Sequence, residues 1–182
     1  MAGPFYRVRQ LVAALRARPL DEREWQLVGE TLPAPGVDLY RAMPLGDQRH
    51  SLTILKGLLA QGYTARPLAQ AALLHDVAKS KVGLLPRSVV IVANALSPFL
   101  LPRLALADPR NPDGPPPSGW RYPFYLSLHH PELGAEAAER AGLDPRAVIL
   151  IRRHQTHLPP ASGPESDLDD WQRALKQLDD QN

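Results

Sequence analysis

The chain has 182 residues, and 21 Lys plus Arg against 19 Asp plus Glu leave it a formal net charge of +2. That near-balance gives no bulk attraction for nucleic acid or an acidic membrane, and the length suits one domain with a real hydrophobic core. Cysteine is absent, which excludes disulfides and thiolate metal sites and suits a reducing, cytoplasmic setting.

The N-terminal run FYRVRQLVAALRARP is basic and amphipathic, with Phe5, Val8, Leu11, Val12 and Leu15 on one face. It imitates a transit peptide, but it flows into the next helical pattern and reads as the domain's first helix. Asp21 with Glu24 three residues on forms a capping box that opens a helix. DQRHSLTILKGLLAQG predicts an amphipathic helix on Leu52, Leu55, Leu58 and Leu59, with His50 near its start. PLAQAALLHDVAKS then places His75 and Asp76 among Ala, Leu and Val, so most of this helix is expected to be buried. The β-branched run Ser88–Leu96 would suit a strand, but it has no partner strand and reads as a buried helix. The longest uncharged stretch, Ser88–Pro102, is too short for a membrane span and contains Pro98.

Prolines punctuate the second half. Ser97–Pro98, His130–Pro131 and Asp144–Pro145 each read as a cap followed by a first helical residue, and Gly142 ends the helix begun at Pro131. Residues 107–120 form a Pro-rich loop, and Leu158–Ser166 forms another. The last helix starts at Ser166 and carries Leu168, Trp171, Leu175 and Leu178 at helical spacing. The expected fold is an all-α bundle of about seven to nine helices. It forms one domain over 1–182, with N-terminal helices at 1–45 and the core at 46–182.

A carboxylate inside an apolar helix must find a cation. Lys79, three residues beyond Asp76, supplies one by an internal salt bridge. The six histidines, His50, His75, His129, His130, His154 and His157, open a second route. Several stand at helix ends beside apolar faces, and Asp179 follows the core-facing Leu178. Imidazole and carboxylate on facing helices are how a bundle holds an interior divalent ion.

In order and phrasing these residues resemble the HD-domain metal-dependent phosphohydrolases. His50 stands 25 positions before the His75–Asp76 dyad, and Asp179 closes the set. LLHDVAK, HHPELGAEAAERAG and IRRHQTHL strengthen the likeness. The HPELGA phrase is most similar to the bacterial branch that cleaves dinucleoside polyphosphates. The resemblance covers about Gly46 to Asn182 and implies an HD-like helical fold. It implies metal ligation by His50, His75, Asp76, His130, His154 and Asp179, with Asp76 able to bridge two ions. His129 stands as an alternative to His130 and Asp180 to Asp179, and His157 as a further candidate. Lys79 matches a lysine that meets substrate phosphate, and Arg153, with Arg152 before it, is expected on a phosphate-attracting rim beside His154.

The implied cofactor is one or two divalent metals from among Fe, Mn, Zn, Mg, Co and Ni. The implied reaction is hydrolysis of a phosphomonoester or phosphoanhydride in a nucleotide-like small molecule, through a metal-activated water. Catalysis would rest on Asp76 and Lys79. A degenerate domain that senses a nucleotide or metal without turnover is the alternative. No nucleic-acid or membrane partner is expected, and homo-oligomerisation stays open. Segment 82–120 carries no motif.

Overall fold

The computed structural model describes residues 17–82, 89–90, 100–106, 114–158 and 166–181. The expectations for the first sixteen residues, for most of Ser88–Leu96, for Ser97–Pro98, for residues 107–113 and for most of Leu158–Ser166 lie outside that set. The described residues are all-helical, with eight α-helices, two short 3-10 turns and no strand. They are α1 (Glu22–Thr31), α2 (Ala34–Arg41), α3 (Leu45–Ala60), α4 (Arg66–Leu74), α5 (Leu100–Ala105), α6 (Tyr122–Arg140), α7 (Pro145–Arg153) and α8 (Asp167–Gln181). The 3-10 turns are Val77–Lys81 and Gly119–Arg121. No helix among these residues is long and apolar enough to cross a membrane.

Local chemistry explains most boundaries. At α1 the Asp21 carboxylate accepts from Glu24 N at 2.9 Å, and Glu24 accepts from Asp21 N at 3.0 Å, completing the capping box. Glu24 also pairs with Arg49 at 2.7 Å and Lys56 at 2.8 Å, which ties this cap to α3. Asp144 caps α7 by accepting from Arg146 N at 2.8 Å, with Pro145 in the first turn. Gly142, at φ +74°, supplies the left-handed residue after α6.

Helix α4 is the buried axis, with Leu68 and Ala71 through Leu74 essentially without exposure. Helices α3 and α7 flank it, α1, α2 and α8 also touch it, and α6 packs on α7 from outside. Gln70 is the polar tie within this apolar centre. It donates to Thr31 O at 3.1 Å and accepts from Asp144 N at 3.1 Å, so its burial leaves no lone group. Because α3 lies between α4 and α8, its buried face is wide: Ser51, Leu52, Ile54, Leu55 and Leu58. Leu59, expected on that face, is 38 % exposed.

Two glycines set close approaches. A Cβ at Gly57 would stand 3.1 Å from both Leu178 methyl carbons, so α8 reaches α3 because residue 57 has none. A Cβ at Gly134 would meet Ile151 at 3.4 Å and Val77 at 3.6 Å, where α6 closes on α7 and the 3-10 turn.

One expected boundary is wrong. Pro131 lies inside α6, which starts at Tyr122 with Pro123 in its first turn. His130 is therefore a mid-helix residue and not a cap. Burial of Phe124, Leu126 and His130 on one side carries the helix through the proline, and packing overrides the local preference.

Candidate metal centre

Five elements bring six ionisable side chains together. His50 comes from the second turn of α3, and His75 is the C-cap of α4 with Asp76 next to it. His130 comes from mid-α6, His154 is the C-cap of α7, and Asp179 comes from the last turn of α8. His75, His130 and His154 are at most 1 % exposed.

Three of the rings share one device. His75 Nδ1 lies 3.0 Å from Ala72 O, His130 Nδ1 2.8 Å from Ser127 O, and His154 Nδ1 2.7 Å from Ile151 O. A carbonyl only accepts, so each Nδ1 carries a proton, and such a ring presents a lone pair at Nε2 whenever it is neutral. The carbonyls of Ala72 and Ile151 are open because α4 ends at Leu74 and α7 at Arg153, within the last four residues of each helix.

The Nε2 atoms converge on Asp76. His130 and His154 each place Nε2 3.5 Å from Asp76 Oδ1, and His75 Nε2 is 3.7 Å from Oδ2. His130 Nε2 and His154 Nε2 face each other at 3.2 Å. Asp179 Oδ1 accepts from His50 Nε2 at 3.0 Å and stands 3.5 Å from His75 Nε2. The ligand atoms form two triads, His50–His75–Asp76 and Asp76–His130–His154, each with its atoms within 4.8 Å of one another. Asp76 belongs to both.

The donor set fits a divalent cation on chemical grounds. His75 Nε2 and Asp76 Oδ1 are buried and take no hydrogen bond of sound geometry. Two neutral imidazoles with lone pairs 3.2 Å apart repel unless a cation or a proton comes between them. Imidazole with carboxylate suits the harder first-row ions and zinc.

The electrostatics agree. Burial raises the Asp76 carboxyl, but Lys79 and His75 outweigh it and hold the group well below the usual carboxylate range. Lys79 Nζ stands 2.8 Å from each Asp76 oxygen and donates to Oδ2. Burial also opposes ionisation of Asp179, yet the hydrogen bond from His50 and the His75 ring beside it hold it low. Burial works against the His75 imidazolium, but Asp76 and Asp179 hold its pKa up to about 9. Burial and then the Lys79 charge push His130 down to about 3.

These shifts predict a two-sided pH profile for chelator-treated protein. His75 titrates higher in the folded state than its ordinary 6.5, so its stabilisation is whole below about pH 6.5 and fades as pH rises through 9. His130 titrates lower, so its contribution is whole above pH 6.5 and is lost as pH falls towards 3. The melting temperature should therefore fall on the alkaline side, and His75→Gln should flatten that limb. An alkaline limb of the same slope in His75→Gln would show that His75 does not set it.

The alternative ligands stand elsewhere. His129 stacks on Tyr125 at 4.3 Å, Asp180 pairs with Lys176 at 3.2 Å, and His157 is exposed. Arg153 is also exposed, and its carbonyl accepts from Gln172 at 3.1 Å. Two glutamines went unnoticed in the sequence, since a lone Gln carries no spacing signal. The Gln155 amide nitrogen lies 3.1 Å from His130 Nε2. Gln172, 1 % exposed, donates to the carbonyls of Arg153 and Thr156 and so pins the segment that carries His154.

No family model, curated protein or solved structure matches the chain.

Proposed function

We propose that this chain is a metal-dependent phosphohydrolase of the HD-domain type, acting on a phosphomonoester or phosphoanhydride of a nucleotide-like small molecule. The observation that carries the reading is the pair of triads sharing Asp76, built from residues 50 to 154 and flanked by Asp179. His50, His75 and Asp76 would hold one ion, with Asp179 beside them, and Asp76, His130 and His154 a second. A divalent ion bound there supplies an activated water and positive charge for transfer of a phosphoryl group. The chain's own part is placement. The carbonyls of Ala72, Ser127 and Ile151 fix the rings, and Lys79 orients Asp76 and adds positive charge beside it.

A second reading has its own observation. Lys79, expected to meet substrate, is engaged by both oxygens of Asp76, which favours a domain that binds metal or nucleotide without turnover. One experiment separates the two. Protein purified without chelator is analysed for metals and assayed on p-nitrophenyl phosphate, nucleoside phosphates and dinucleoside polyphosphates. The enzyme reading expects one or two divalent ions per chain, with hydrolysis that chelator abolishes and metal restores. Bound metal with no hydrolysis of any of these supports the sensor. Hydrolysis indifferent to chelator contradicts both.

A further inference from the structure

His130 differs from the other two buried rings in one respect. His75 and His154 find open carbonyls because their helices end, whereas His130 lies in the middle of the 19-residue helix α6. In an unbroken helix the Ser127 carbonyl would accept from the backbone N–H four residues on. Residue 131 is proline and has no N–H. The Ser127 carbonyl instead accepts from His130 Nδ1 at 2.8 Å.

We infer that Pro131 is a positioning residue of the candidate metal centre, withholding the backbone N–H that would otherwise take the Ser127 carbonyl and so leaving that carbonyl to the His130 ring. The inference rests on the metal-binding reading for its purpose but not for its geometry. The consequence is directional. With Nδ1 bound to Ser127 O, the lone pair at Nε2 is turned towards His154 Nε2, 3.2 Å away, and Asp76 Oδ1, 3.5 Å away. One turn further on, Gly134 lets α6 approach α7 closely enough for the ring to arrive. A proline inside a helix is costly, because it removes a backbone hydrogen bond and its ring crowds the carbonyl four residues back. Its cost is offset by an acceptor that no other residue type would free.

Pro131→Ala restores the N–H and favours the helix, so the variant is expected to fold with an unchanged or higher melting temperature. The readout is the tautomer of His130 in 15N-labelled, chelator-treated protein, followed by long-range proton–nitrogen spectra. Wild type should show the proton on Nδ1, and Pro131→Ala should shift it substantially to Nε2. In a cobalt titration the variant should bind one ion about 10–100-fold more weakly, the usual cost of losing an outer-sphere partner. Placing the α-hydroxy analogue of alanine at 131, which lacks both the ring and the N–H, should restore the wild-type tautomer and affinity. An unchanged His130 tautomer in Pro131→Ala overturns the inference. So does an α-hydroxy variant that behaves like Pro131→Ala. Should wild type itself take up no cobalt, the metal reading fails, while the tautomer comparison still decides what Pro131 does.

Discussion

Asp76→Asn is expected to purify with no more than a trace of divalent metal and to have lost hydrolysis with it. The carboxylate is the one group common to both triads, so its charge serves either ion. Asn keeps the volume and one carbonyl oxygen but removes the negative charge that faces three imidazoles and Lys79. The loss of metal affinity should exceed the about 10–100-fold that outer-sphere partners usually account for. Without metal the fold suffers too. Lys79 loses its counter-charge and His75 keeps only that of Asp179, and breaking a buried pair on one side costs about 3–5 kcal/mol. Lys79 is 29 % exposed, so solvent screening places the expected loss at the low end. Elemental analysis and urea unfolding read both effects. An Asn variant that retains stoichiometric metal would remove Asp76 from the centre.

Leu175→Ala should give the largest loss of stability by packing alone. Leu175 has no exposed surface and belongs to the main core, with Ala174 and Leu178 on the same face of α8. Truncating a leucine there costs about 2–5 kcal/mol, with the spread set by how far the site collapses. The effect reaches the candidate metal centre directly through Asp179, and at one remove through Gln172, which ties α8 to the segment that carries His154. Helix α8 carries Asp179, so His50 and His75 lose the carboxylate they share at 3.0 and 3.5 Å. Asp76 and His130 lie on other elements and carry no such tie to α8. Metal content should therefore fall partially, in contrast to the near-complete loss in Asp76→Asn. Leu175→Met, close in volume, should cost less than about 1.5 kcal/mol. An unfolding midpoint for Leu175→Ala equal to wild type would mean that α8 is not held by this face.

Much of the centre was legible in the sequence because burying a charge has few solutions. An Asp between Leu74 and Val77 demands a cation, and histidines at helix ends suggest a metal, but the particular set of ligands rests on the resemblance to the HD-domain phosphohydrolases. Asp179 was legible for a simpler reason: it follows Leu178, whose spacing with Leu175 and Trp171 fixes which side of α8 faces inward. Helix starts were legible where a side chain acts on its own backbone, as at Asp21 and Asp144. The rule failed at Pro131, where tertiary burial of α6 outweighs a local preference. Lys79 shows another limit. Spacing allowed either a partner for Asp76 or a contact for substrate, and only three-dimensional placement puts its ammonium against both carboxylate oxygens. Arg153 follows the last helical turn outwards, since the buried face of α7 is already filled by Val148, Leu150 and Ile151.

The most direct measurement is diffraction at a metal absorption edge, from crystals of protein purified without chelator and soaked in manganese. The account predicts one or two anomalous peaks enclosed by His50, His75, Asp76, His130, His154 and Asp179. A map with these six side chains gathered as described and no anomalous density among them would contradict it.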